Sequence, residues 1–190
     1  MTGSFEEALG KSYDAKHRYT AQDLYLRGRQ LVADCFRHGV TSMRAFVEVD
    51  LVTQLKTLEA AVRLKREFAH LVRVQICVFA QGPLFSGKVG LCNKRVLSRA
   101  LDEYAGDIEA LGTTPYVEAD EGAAMDNIRW AIENAMARKL FLDFHLDYHL
   151  RSSAGAGASE YHQRFSLSPS PISHDLAVHS SVRIVFLNYC

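Results

Sequence analysis

Apolar residues recur along the chain at two different spacings, and the alternation predicts a series of helices and strands. From Thr20 to His38 they recur at helical spacing, with Thr20 as the N-cap and Gly39 as the C-cap glycine. Later segments repeat the helical spacing, and the runs between them are rich in β-branched and aromatic residues, which favour strands. The predicted later helices cover 51–70, 93–104 and 121–138, and the predicted strands cover 40–49, 72–79, 110–116 and 139–146.

This order of elements predicts an α/β fold. Strands that alternate with helices of this length imply parallel pairing through right-handed crossovers. Two architectures fit: an open doubly wound sheet, and a segment of about four strands from a (β/α)8 TIM barrel, which normally takes about 250 residues. Periodicity alone does not separate them.

The composition changes after Arg151. Residues 152–190 are rich in serine, alanine, glycine and proline, and they end on the apolar run VRIVFLNYC. Such composition is typical of a linker or a disordered tail, and the final run is either a strand or a segment without a partner. We therefore expect one α/β domain over residues 1–151 and an irregular, low-complexity tail over residues 152–190.

Charge and cysteine content narrow the class of protein. Lysine and arginine number 22 and so do aspartate and glutamate, so no basic field favours a nucleic acid partner. No apolar run approaches the roughly 20 residues of a membrane span, and the N-terminus has no signal-peptide core. None of the 4 cysteines forms a CxxC pair, which is typical of a reduced, cytoplasmic protein. Neither a nucleic acid nor a membrane is therefore expected as a partner, and a small-molecule substrate is expected only from the family resemblance described at the end of this subsection.

The polar residues at the strand ends are the candidate functional residues, because chemistry in parallel α/β folds lies at the carboxyl ends of the strands. Those ends carry Gln81, Glu118, His145 and Asp147. A neutral His145 could ligate zinc or iron, but in an extended strand His149 lies about 13 Å from it and cannot share the metal. The alternative for each residue is that strand ends are polar because they meet water.

The glycine-rich stretch AQGPLFSGKVG, which follows the second predicted strand, is a further candidate loop. Its spacing matches neither GxxxxGK[ST] nor GxGxxG, which argues against a phosphate-binding loop. The better functional interpretation makes Gln81 an amide donor and acceptor for a polar ligand.

Four stretches carry a resemblance to a known family. RHGVTSMRAFVEVD, VRVQICVFAQGPLF, GTTPYVE and FLDFHLDYHL occur in this order with helices between them. Together they resemble the cytosine deaminase-like branch of the metal-dependent amidohydrolase superfamily, from about Phe5 to about Leu150. The resemblance implies that the four strands correspond to strands two to five of an eight-stranded barrel.

The resemblance also implies roles for individual residues. Gln81 matches the glutamine that hydrogen-bonds the substrate's ring or amide edge, and His145 matches a metal ligand. Glu118 matches an acidic position near the pocket and is a candidate catalytic residue. The family's general acid/base glutamate falls on Tyr148, so the adjacent Asp147 is the candidate substitute. In this family a divalent metal, zinc or iron, activates the water that attacks an amidine or amide carbon.

Three functions remain open from the sequence. The first is metal-dependent hydrolysis or deamination of a small cyclic amidine or amide. The second is a catalytically inactive, truncated remnant or interaction module, because the family's HxH pair and late ligands have no counterpart here, and this favours inactivity of the isolated chain. The open edges of a partial barrel then predict self-association. The third is an open-sheet domain that binds a small ligand through Gln81 and Glu118.

Overall fold

The computed structural model describes residues 5–145 and 183–185. Both ranges belong to one compact unit. The predicted tail is outside these residues except for 183–185, and so are Asp147, Tyr148 and His149. In chain order the elements are α1 (Phe5–Lys16), α2 (Ala21–Arg37), β1 (Ser42–Glu48), α3 (Lys56–Glu67), β2 (Arg73–Ala80), α4 (Gly87–Glu103), β3 (Ala110–Thr113), a 3-10 turn (Pro115–Val117), α5 (Glu121–Arg138), β4 (Phe141–Phe144) and β5 (Arg183–Val185).

The five strands form one parallel sheet in the order β4-β3-β2-β1-β5. β1 to β4 are spatial neighbours in sequence order, and one helix joins each to the next, as the alternating pattern predicts. β5 pairs with the other side of β1, with Arg44 opposite Arg183. Residues 183–185 of the final apolar run therefore form a strand, which is one of the two alternatives left open by the sequence.

The four helices α2 to α5 pack with one face of this sheet. Side chains alternate between the two faces along each strand, and one set of strand positions shares the main hydrophobic core with these helices. A doubly wound sheet has helices on both faces, whereas a barrel segment has them on the outer face alone. The described part of the chain is thus a partial TIM-barrel-like α/β segment. The core strand positions include Met43, Ala45, Val47, Val74, Ile76, Val78 and Leu111.

The other face of the sheet, here called the inner face, corresponds to the interior of a barrel. It has a small apolar cluster of its own, made by Phe46, Cys77, Phe79 and Ala110. By strand alternation and register it also carries Arg44, Glu48, Gln75, Gly112, Asp143 and His145.

The predicted helix boundaries agree with the structure where a capping side chain or a C-cap glycine marks the end of the helix. Thr20 Oγ1 accepts a hydrogen bond from the Asp23 backbone N–H at 3.1 Å, and Gly39 has the positive φ of 82° that suits a glycine after a helix. Asp120 caps α5 by accepting from the Ala123 N–H at 2.8 Å. The bounds of α5 are those predicted, and no helix in the two described ranges is both long and apolar enough to span a membrane.

The predicted start of α3 is wrong by five residues. The helix begins at Lys56 rather than Leu51 because the preceding residues form a turn around Asp50. Asp50 Oδ1 accepts from the backbone N–H groups of Val52 and Thr53 at 2.8 and 2.6 Å. A side chain that satisfies local backbone donors in this way competes with the helix.

The predicted start of α4 is also wrong. The helix begins at Gly87 rather than Asn93, so part of the predicted glycine-rich loop is helical. Gly90 lies against the preceding loop, and a Cβ there would be 3.1 Å from the carbonyl carbon of Leu84. Close packing therefore accounts for this glycine, which composition alone had placed in a loop.

Candidate functional site

Gln81, Thr114 and His145 follow the ends of β2, β3 and β4 and form one row at the carboxyl edge of the sheet. Thr114 Oγ1 donates a hydrogen bond to the Gln81 carbonyl oxygen at 2.9 Å, and the His145 backbone N–H donates to the Thr113 carbonyl oxygen at 3.0 Å. Two strand spacings separate Gln81 from His145, which is about 10 Å between their backbones. Both side chains can therefore reach one small molecule.

The His145 imidazole is held by two aromatic rings of the inner face. Its ring centroid lies 4.7 Å from that of Phe79 and 5.7 Å from that of Phe46. These two phenylalanines meet edge to face at 5.7 Å, which is a favoured aromatic geometry. The imidazole still keeps 29 % of its surface exposed, so it is both positioned and accessible.

The position of Phe79 depends on a glycine in the next strand. A Cβ on Gly112 would lie 2.5 Å from Phe79 Cδ2 and 3.0 Å from Cys77 Sγ. No real side chain tolerates such distances without movement of its neighbours. Gly112 therefore leaves the space in which Phe79 lies, and Phe79 in turn contacts His145.

A series of hydrogen-bonded polar side chains crosses the inner face near His145. Arg44 Nε donates to Gln75 Oε1 at 2.5 Å, and Arg44 Nη1 donates to Asp143 Oδ2 at 3.0 Å. The other oxygen of Asp143 is 3.9 Å from His145 Nε2, which is too long for a hydrogen bond. Burial and the nearby Asp143 carboxylate raise the pKa of the Cys77 thiol, so this cysteine stays protonated at neutral pH.

The pairing of Arg44 with Asp143 is not predicted from the sequence. The available signal was that each is a charged residue in the middle of a predicted strand, on the face that alternation assigns opposite to the apolar positions. The pairing itself joins residues 99 positions apart, which no local pattern encodes.

A second group of charges lies at the end of β1, where α1 meets the sheet. Lys16 Nζ donates to Glu48 Oε1 at 2.5 Å and to Asp50 Oδ2 at 2.9 Å. Burial would lower the pKa of Lys16, but the two carboxylates outweigh it and raise that pKa. Burial raises the pKa of Glu48, whereas for Asp50 the donors of Lys16 and Thr53 outweigh burial and lower the pKa. This group anchors α1 to the carboxyl edge.

Glu118 lies after the 3-10 turn, close to the loop that follows Gln81. Its carboxylate accepts hydrogen bonds from residues 84–86 of that loop and from Asn127 of α5. The catalytic role assigned to Glu118 from the sequence stays a prediction, as does that of Asp147, which is outside the described residues.

The zinc or iron that the family resemblance implies would need a group of ligand side chains. Within residues 5–145 and 183–185, no three His, Cys, Asp or Glu side chains are grouped so that they could hold an ion. His145 is one candidate ligand, and the neighbouring Asp143 is paired with Arg44. A catalytic zinc typically takes three protein ligands and a water. The described residues therefore do not fit such a metal by themselves, and zinc or iron stays a prediction.

Comparison with known proteins finds a sequence similarity to one amidohydrolase and a fold similarity to a deaminase. No protein-family model matches the chain. The curated N-isopropylammelide isopropyl amidohydrolase of Pseudomonas sp. (strain ADP) is 25% identical over 120 residues, which are 63% of this chain and 27% of that protein. The solved structure of 5-methylcytosine deaminase from Klebsiella pneumoniae liganded with 5-fluorocytosine matches with a TM-score of 0.66 and 23% identity. The resemblance to the cytosine deaminase-like amidohydrolases is confirmed for this segment.

A second structure of the same Klebsiella deaminase, liganded with phosphonocytosine, matches the amidohydrolase-like segment with a TM-score of 0.65 and 21% identity. Each of the two structures covers 76% of this chain, while the chain covers 33% and 34% of theirs. At these identities the solved structures establish the fold. The chain therefore spans about a third of the length of the deaminases and about a quarter of the curated relative.

Proposed function

We propose that the amidohydrolase-like segment forms one wall of a pocket for a small cyclic amidine or amide, in a protein that hydrolyses or deaminates it. The observation that carries the proposal is the common row of Gln81 and His145 at the carboxyl edge of the inner face. The names of the relatives support the choice of substrate class. One is an amidohydrolase, and the other is a deaminase solved with 5-fluorocytosine and with phosphonocytosine.

The chemistry of Gln81 suits this substrate class. Its side-chain amide offers both a donor and an acceptor, and the edge of a cyclic amidine presents both complements within one ring. None of the described residues forms a hydrogen bond with this side chain, so it is free to bind a ligand. His145 lies two strands away, where the resemblance assigns a metal ligand.

Replacement of Gln81 tests the pocket. We expect Gln81→Leu to lower kcat/KM by about 10- to 100-fold, because the polar edge of the substrate loses its partner when it enters the site. The measurement is release of ammonia from cytosine and 5-methylcytosine, and of isopropylamine from N-isopropylammelide. Gln30→Leu, on the exposed side of α2, is the matched control and keeps the parental rate.

Two results of this assay would contradict the proposal. One is that a folded, metal-supplemented parent protein releases no amine from any of the three compounds. The other is that Gln81→Leu and Gln30→Leu retain the same activity.

A second candidate function is binding of the same class of compound without turnover. It is favoured by the pairing of Asp143 with Arg44, which leaves His145 as the single candidate ligand at this point among the described residues. This function predicts that cytosine binds in a Gln81-dependent manner while no amine is released. Elemental analysis of zinc and iron in the same preparation separates the two functions further.

A further inference from the structure

Glu118 gathers hydrogen-bond donors from two separate parts of the chain. Its Oε1 accepts from the Leu84 backbone N–H and from Asn127 Nδ2, both at 2.8 Å. Its Oε2 accepts from Ser86 Oγ at 2.5 Å. The Phe85 backbone N–H lies 3.3 Å from both carboxylate oxygens. The loop before α4 and the first half of α5 are thus joined through one side chain.

These contacts leave the Glu118 carboxylate with little capacity for chemistry. A carboxylate has about four lone-pair sites, and the donors of the loop and of Asn127 occupy both oxygens. Hydrogen bonds to an ionised carboxylate are among the stronger ones in proteins, so a substrate proton would have to displace them. We call this set of contacts, between the Glu118 carboxylate and the donors of residues 84–86 and Asn127, the clamp.

The clamped loop is the continuation of Gln81. Residues 82–86 connect Gln81 to the start of α4, and Ser86 Oγ also accepts from the Ala119 N–H at 2.8 Å. On the other side, Thr114 Oγ1 donates to the carbonyl oxygens of Ala80 and Gln81 at 3.1 and 2.9 Å. The backbone at Gln81 is therefore fixed at the strand end and again three to five residues later.

The second anchor of the loop comes from α4. Asn93 Nδ2 donates to the Pro83 carbonyl oxygen at 3.1 Å, while Asn93 Oδ1 accepts from the Leu51 N–H at 3.0 Å. A Cβ on Gly82 would lie 2.9 Å from Asn93 Nδ2. The loop next to Gln81 has close neighbours, so a change in its path would move Gln81 as well.

We propose that Glu118 is a positioning residue, which fixes the 82–86 loop and thereby the side chain of Gln81 at the carboxyl edge. This assigns Glu118 a task different from the catalytic role expected of it from the sequence. The purpose of the positioning rests on the proposed function, because Gln81 is there the substrate contact. The clamp itself does not depend on that function.

Glu118→Gln tests the proposal, because the amide keeps the size of the side chain but places an NH2 group where an acceptor is needed. We expect hydrogen exchange at the Leu84 and Phe85 amides to become at least about tenfold faster. The NMR signals of the Gln81 side-chain amide, which need no ligand, should shift or broaden. Amides in α2 should keep their parental exchange rates, which separates a local effect from a general loss of stability.

Glu121→Gln is the matched control. Glu121 is exposed, and its substitution removes the same charge three residues after Glu118. Ser86→Ala is a milder second variant that removes one link of the clamp. It should accelerate exchange at Ala119 and Phe85, and it keeps the test decisive if Glu118→Gln does not fold.

The outcomes distinguish this proposal from the proposed function. Parental exchange in the loop, or unchanged Gln81 side-chain signals, in a folded Glu118→Gln or Ser86→Ala protein overturns the positioning role, whether or not any ligand binds. Failure of the parent to bind the probe 5-fluorocytosine counts against the proposed function alone. If the probe binds, Glu118→Gln should weaken its binding, and the double variant with Gln81→Leu should bind no more weakly than Gln81→Leu.

Discussion

The contact between Phe79 and His145 depends on the missing side chain at position 112. A methyl group there would collide with the Phe79 ring and with Cys77 Sγ. We therefore expect Gly112→Ala to lower the free energy of unfolding by about 1–3 kcal/mol through overpacking, measured by urea denaturation. The His145 ring signals should also move, because Phe79 lies against that ring.

Gly106→Ala is the control for this change, since a Cβ at that exposed position meets nothing within 4 Å. Surface changes of this kind usually stay within about 0.5 kcal/mol. If Gly112→Ala has a free energy of unfolding equally close to that of the parent and leaves the His145 signals unmoved, the Phe79 ring is not confined by position 112, and this prediction is wrong.

At the scale of single residues, the places of Gln81 and His145 in the sheet could be predicted from the sequence better than the contacts of the side chains. Gln81 and His145 could be selected because each lies at the carboxyl end of a predicted strand. The bonding of Glu118 could not be predicted, because its partners Leu84 and Ser86 are more than 30 positions away. A carboxylate that binds a substrate and one that binds a loop look alike in a sequence.

At the scale of elements, the ion pair of Arg44 with Asp143 joins β1 to β4 across the two strands between them. Asp143 keeps only 7% of its side-chain surface exposed, so removal of Arg44 leaves a largely buried charge without its partner. We expect Arg44→Met to cost about 3 kcal/mol or more in stability, measured by denaturant unfolding. The double variant Arg44→Met/Asp143→Leu should cost less than Arg44→Met alone, because it removes both charges.

The exposed pair of Arg129 with Asp126 provides the comparison, and Arg129→Met should cost less than about 1 kcal/mol. If the effects of Arg44→Met and Asp143→Leu simply add in the double variant, the two side chains are not coupled and the pair does not join the strands.

Sequence patterns also predicted the elements unequally, for physical reasons. The predicted bounds of α5 agree with the structure, in which Asp120 caps the first turn of the helix. The start of α3 is displaced by the turn at Asp50, whose side chain serves local backbone donors. The start of α4 was not predicted because glycines such as Gly87 and Gly90 are typical of loops. In the structure, Gly90 is required by close packing against Leu84.

At the scale of the whole molecule, the decisive feature is that α2 to α5 share the core of one face of the sheet. Periodicity gives the number and order of the strands but does not say which face a helix covers, so the choice between a doubly wound sheet and a barrel segment required the structure. β4 and β5 lie at the two ends of the described sheet, and self-association through open edges stays a prediction. The inner face, which lies opposite the face that α2 to α5 cover, carries Gln81 and His145 at its carboxyl edge.

The inner face is proposed to bind a small cyclic amidine at its carboxyl edge. Titration of the isotope-labelled protein with 5-fluorocytosine, followed by two-dimensional NMR, tests it most directly. We expect saturable shifts of the Gln81 side-chain amide and of the Thr114 and His145 backbone signals, with the α2 signals unmoved and with the effect lost in Gln81→Leu. Shifts confined to the helix-covered face, or none at Gln81 and His145 at saturating ligand, would contradict it.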